Sequence, residues 1–315
     1  MQNGKFSITI FYYFAEKTVK KGRCLAPLET YPGMLYADPM TLTVRNNYFR
    51  SGIVLSLLAL VTILSLSFII FSAYPPAGAA ATRSAGLFQP LISRFFTAHP
   101  YVPFVTMLGS VLYAFITMIL IYYFFEKTQS PEILFFALFV TSFAFEALRV
   151  MVPLVLVYNL PSVYLVMSTR VLLIARYFGL FSLLAASIYA AGLGEQKQGN
   201  IIFIIVIAAM IVALGVPVDS LAWDSSLMMV SGYTSMLKIV EAGIALIAAV
   251  SFFISAYSRG SNEYIFIGIG SLLAFLGRLT LLSADTWITP LPGMVLLAAG
   301  TWIICVQLHR VYLWL

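Results

Sequence analysis

Eight apolar stretches, each long enough to cross a bilayer as a helix, constrain this 315-residue chain more than any motif in it. A hydrocarbon core of about 30 Å needs roughly 20 residues at about 1.5 Å each, and lipid offers no partner to an unpaired backbone group. The stretches fall near residues 51–74, 101–125, 132–158, 162–192, 200–218, 227–257, 263–284 and 290–312. Short breaks rich in Pro, Gly or charge separate them, among them Pro75-Pro76, Asn159-Leu160-Pro161 and Ser258-Arg259-Gly260. Short connections make consecutive helices antiparallel neighbours. The expected fold is therefore all-α: a polytopic membrane protein, one bundle of eight transmembrane helices.

Orientation follows from Lys and Arg near the span ends. With the N-terminus in the cytoplasm, one side holds eleven of them, from Lys5 through Lys127, Lys197 and Arg259 to Arg310, and the other only Arg83 and Arg94. Both termini are expected inside, and this single basic side fits a bacterial inner membrane. The net charge of +6 sits beside or within apolar runs, so nucleic acid is not an expected partner. Cys24 and Cys305 lie far apart on the same side and offer no disulfide framework.

Residues 1–50 read as a cytoplasmic, interfacial amphipathic segment in which Phe6 to Phe14 precede the basic run Lys17–Arg23; anionic membrane lipid is its natural partner. The loop from Pro75 to Pro100 places Phe88, Leu91, Ile92 and Phe95 at helical spacing, which predicts a short helix on the outer face. No loop is long enough for an output domain, so a signal is expected to leave through a membrane or cytoplasmic protein partner.

Seven charges lie inside the spans: Glu146, Arg149, Arg170, Arg176, Lys238, Glu241 and Arg278. Such residues are costly, by about 2.5–3.5 kcal/mol on insertion scales, and face the bundle interior or water. Counting from the outer span ends puts Arg278 at about 9 Å, Arg149 and Arg170 at about 13 Å, Glu146 and Lys238 at about 17 Å, and Arg176 and Glu241 at about 21 Å. Residues three apart share a helix face, so Glu146 is expected to neutralise Arg149, and Glu241 to neutralise Lys238. Two acids against five bases leave an excess of +3, and arginine cannot discharge itself.

The preferred expectation is a cavity in the outer half, lined by Arg149, Arg170 and Arg278 with Lys238, Glu146 and Glu241, that binds an anionic small molecule or lipid head group. Arg176 is the one deep polar group on an inner route, which a transporter of an anionic or amphiphilic substrate would need. Two other outcomes stay open: guanidinium groups tied to helix carbonyls and to Tyr164, Tyr177, Tyr189 or Tyr233, and charges completed by another protein in a scaffold role. Arg170 and Arg176, six residues apart, cannot serve one site.

Catalytic chemistry finds little support. His99 and His309 lie near opposite ends of the spans, which removes paired haem ligands and HExxH patterns, and no GxSxG, Walker A or GxGxxG motif stands at a helix start. Asp219, Asp224 and Asp285 line outer turns near Trp223 and Trp287; Asp224 reads as a helix cap beside an aromatic belt, and the three are not expected to form a metal site. No catalytic residue, cofactor or metal is expected, and the chain reads as non-enzymatic.

Overall fold

The computed structural model describes residues 42–73, 101–128, 130–192, 198–224 and 226–313. Residues 1–41 of the amphipathic segment expected over 1–50, and the outer helix expected through Phe88–Phe95, lie outside them. Among the described residues, eight helical segments are long and apolar enough to cross a membrane. They are α1 (Leu42–Ala73), α2 (Val102–Phe125), a composite third span, α5 (Val163–Ala190), α6 (Gln198–Gly215), α7 (Thr234–Arg259), α8 (Glu263–Leu282) and α9 (Pro290–Leu313).

The third span is α3 (Pro131–Ser142), a 3-10 segment over Phe143–Val150, and α4 (Met151–Tyr158). Pro153 accounts for the break. Its ring collides with the carbonyl four residues back, at Arg149, and it supplies no N–H there. The chain tightens instead, and the Met151 N–H reaches the Leu148 carbonyl three residues back. At the other end, Ser130 caps α3 by accepting from the Ile133 N–H at 3.3 Å, with Pro131 pre-set in the first turn.

Two boundaries differ from expectation. α1 is already helical at Leu42, nine residues before the expected apolar run, and Arg45 within that extension donates to acceptors at a neighbouring helix end. The sixth span begins at Thr234 rather than residue 227. The residues before it form an antiparallel hairpin, β1 (Val218–Trp223) and β2 (Met229–Ser231). The Gly232 N–H closes the hairpin base on the Pro217 carbonyl at 2.8 Å. A Cβ on Gly232 would stand 2.6 Å from the Pro217 ring, so glycine permits that contact.

Side-chain ties between helix ends confirm the alternation of direction. Arg45, early in α1, donates to the carbonyls of Phe125 and Glu126 at the end of α2, both at 2.9 Å. Tyr312, late in α9, donates to Glu132 at the start of α3 at 2.5 Å. Both ends of the eight-span path therefore lie on one face, called here the terminal face; the hairpin lies on the other.

The third and fourth spans are the centre, with 78% and 61% of their apolar windows buried against 17% for α1 and α6. Buried hydroxyls on these helices turn back to their own backbone, as Ser142 to Phe139 and Ser182 to Phe178, both at 2.7 Å. α8 and α9 approach most closely. A Cβ on Gly300 would lie 2.6 Å from both the Ala274 nitrogen and the Gly270 carbonyl oxygen. Small residues at such a seam let dispersion act between backbones where lipid gives no hydrophobic drive. Gly300→Ala should lower stability in detergent by about 1–3 kcal/mol through overpacking. Leu246→Ala, on an exposed face of α7, should change it little. Monodisperse protein remaining after a heating series is the measurement.

Candidate functional site

Glu146 is the hub of a buried charge cluster. It lies on the 3-10 segment and is 2% exposed. Arg176 of α5 grips its two oxygens with a fork, Nε to Oε1 and Nη2 to Oε2, both at 2.8 Å. Arg149 comes within 3.6 Å of Oε2 through Nη1. Residues three apart in a 3-10 helix eclipse one another, so this backbone stacks Glu146 and Arg149 on one edge. The longer rise also sets depth. At about 2.0 Å per residue through the 3-10 turns and about 1.5 Å elsewhere, Glu146 lies about 20 Å from the end of α4, and Arg176 about 20 Å from the start of α5.

Arg278 of α8 completes the cluster from a third direction. It donates to the Arg176 carbonyl at 2.7 Å, and its guanidinium stands 5.8 and 5.7 Å from the ring centroids of Phe139 and Phe143. Gly179 makes room for it: a Cβ there would sit 2.9 Å from the Ser142 Cβ and 3.1 Å from Arg278 Nη1. Arg278 Nη1 is buried without a hydrogen-bond partner, as is Arg149 Nη1. The remaining edge of Arg149 points to the hairpin, where Nε (2.7 Å) and Nη2 both donate to the Ser226 carbonyl.

The sequence-derived site residues thus divide. Glu146, Arg149 and Arg278 come together, and Arg176 joins them as the principal partner of Glu146 instead of lining a separate inner route. Arg170 stands apart. It donates to the carbonyls of Ala213 (2.6 Å) and Leu214 (3.3 Å), and of Val216, the frayed end of α6, where carbonyl groups lack intrahelical partners. Arg45 at the end of α2 does the same work, and so, more weakly, does Arg259 toward Tyr189 at 3.5 Å near the end of α5.

The expected Lys238–Glu241 pair does not form: among the described residues, ion pairs join only Glu146 to Arg149 and Arg176. With α7 starting at Thr234, Lys238 lies only about 6 Å and Glu241 about 10 Å from its hairpin end. Lys238 is exposed, while Glu241 is half-buried, within electrostatic range of Arg176 and Arg278.

Five contributing residues carry no role in the reading of the sequence above. The Ser226 carbonyl carries no side-chain signal. Phe139 and Phe143, four apart, were visible as a helical pair, and Pro153 four residues after Arg149 could have announced the 3-10 turns. Glu132 was counted as a span end, yet it is 2% exposed and accepts from Ser130 (2.9 Å) and Tyr312, forming a second buried carboxylate at the terminal face. No family model matches the chain, and neither the curated proteins nor the solved structures give a match.

Breaking one partner of a buried ion pair costs far more than a surface pair contributes. Glu146→Gln should cost about 3–5 kcal/mol of stability in detergent. A double-mutant cycle of Glu146→Gln with Arg176→Gln should return a coupling above about 0.5 kcal/mol, and the same cycle on Lys238 and Glu241 a value within about 0.5 kcal/mol of zero. Unfolding midpoints of the single and double variants read both.

Proposed function

We propose that the protein is a non-enzymatic, multi-pass inner-membrane protein of bacterial type, with both termini cytoplasmic, that binds an anionic small molecule or lipid head group at the Glu146–Arg149–Arg176–Arg278 cluster and acts as a sensor or accessory subunit through a partner. The orientation rests on the one-sided Lys and Arg distribution. The observation that carries the ligand is the charge balance: three guanidinium groups gather around one carboxylate that pairs with two of them, a formal excess of +2, and Nη1 of both Arg149 and Arg278 is buried without a hydrogen bond. An unsatisfied buried donor costs about 1–3 kcal/mol, more when charged, and a carboxylate or phosphate oxygen relieves both costs at once.

Transport of an anion is the second reading. Glu132, with Ser130 and Tyr312, supplies a buried polar group toward the terminal face, and a small apolar gap lined by Phe136, Leu183 and Ile304 lies beside it. Uptake of the anion into vesicles separates transport from sensing.

Inorganic phosphate should raise the unfolding midpoint of the protein in detergent, by linkage about 2.7 kcal/mol at 100 times its dissociation constant. Arg149→Gln and Arg278→Gln should abolish the effect. Arg170→Gln should keep it, since that side chain serves the end of α6. Loss of the effect in Arg170→Gln alone would place the site elsewhere.

A further inference from the structure

The hairpin tip holds a place that an oxyanion would fill better. We infer that the Ser226 carbonyl is an intrachain occupant of the anion site, and that hairpin closure and binding of a carboxylate or phosphate exclude one another. This rests on the anion binding proposed above and adds the gate that controls it.

The first argument is the shape of the contact. The Nε–Nη2 edge of Arg149 is a fork suited to two oxygens of one oxyanion, yet here both donors converge on one neutral carbonyl oxygen. The excess charge of the cluster is left as it was. A carboxylate or phosphate on the same edge would use both donors in parallel and neutralise charge as well. Asp224, two residues before the tip, lies in electrostatic range of Arg149, so closure also brings an intrachain anion toward the site.

The second argument is how the tip is held. Two strands alone are marginally stable, so this hairpin depends on its anchors. They are Arg149 and the apolar side chains of Leu227, Met228 and Met229, which pack against the surrounding spans. Leu227 takes φ 56° and Tyr233, at the exit, φ 59°; both are left-handed conformations that non-glycine residues adopt at a cost. A closed tip with strained backbone at the tip and at its exit is poised to release when its polar anchor is taken by another acceptor.

The test uses full-length protein carrying Ser226→Cys with Cys24→Ser and Cys305→Ala, in phosphatidylcholine nanodiscs, labelled with a membrane-impermeant maleimide. Inorganic phosphate at about ten times its dissociation constant should raise the labelling rate about tenfold. A parallel arm replaces part of the lipid with phosphatidylglycerol and omits phosphate. Acceleration there alone assigns the oxyanion to a lipid head group, and acceleration by phosphate alone to a soluble ligand; either supports the gate. Adding Arg149→Gln should give fast labelling that no anion changes. Leu227→Asn, which tolerates the backbone conformation and removes an apolar anchor, should bind phosphate more tightly in equilibrium dialysis, a gain that misfolding does not produce. Anion-dependent stabilisation with unchanged labelling in both arms overturns the gate and leaves the binding site standing. Neither stabilisation nor labelling change overturns both.

Discussion

A carboxylate about 20 Å from the bundle end, buried among apolar helices, persists only where cations meet it. Glu146 and the Arg176 fork that grips it are the contact on which the rest of the charged layer depends. The pair joins the two most buried spans. It also fixes where Arg278 can go, since that guanidinium is bonded to the backbone of Arg176 itself and cushioned by Phe139 and Phe143. Isolated ion pairs of this kind add little stability compared with apolar packing, although removing one partner is costly because it leaves a buried charge uncompensated.

The arginines of this protein do two different jobs. Arg45, Arg170 and Arg259 each meet carbonyl groups at or beside the end of a neighbouring helix, where four carbonyl groups lack donors and the helix dipole is negative. Their charge is absorbed by backbone. Arg149, Arg176 and Arg278 instead meet in mid-span around one acid, and their charge is not fully absorbed. Position relative to helix ends, more than depth, separates the arginines at carbonyl-rich helix ends from those gathered around Glu146 here.

Much of this was legible in the sequence. The length rule found the eight helices that are long and apolar enough to cross a membrane among the described residues, because a chain meant for lipid must form helices and leaves the run of apolar residues as the signal. The charged layer was legible too, down to Glu146 and Arg149 on one face. What failed was pairing across helices. Spacing within one helix predicted Lys238 with Glu241, whereas the start of α7 at Thr234 puts Lys238 close to the hairpin end of that helix, where it is exposed. The hairpin escaped because Leu227, Met228 and Met229 extend the apolar run of the sixth span, and hydropathy does not distinguish a buried strand tip from a helix turn. The Ser226 carbonyl could not have been found, since a backbone acceptor has no residue type.

Across these levels runs one chain of cause. Pro153 tightens the third span into 3-10 turns, the turns stack Glu146 under Arg149 and level it with Arg176, and the leftover edge of Arg149 reaches out to the hairpin. The cluster is closed as it stands, with more donors than acceptors. Crystals grown with selenate, whose anomalous scattering marks an oxyanion directly, test this most sharply. The account predicts an anomalous peak within hydrogen-bonding distance of Arg149 and Arg278 and a Ser226 carbonyl displaced from the Arg149 edge. A peak confined to Arg170 or Lys238, or none at all with the hairpin still seated, would contradict it.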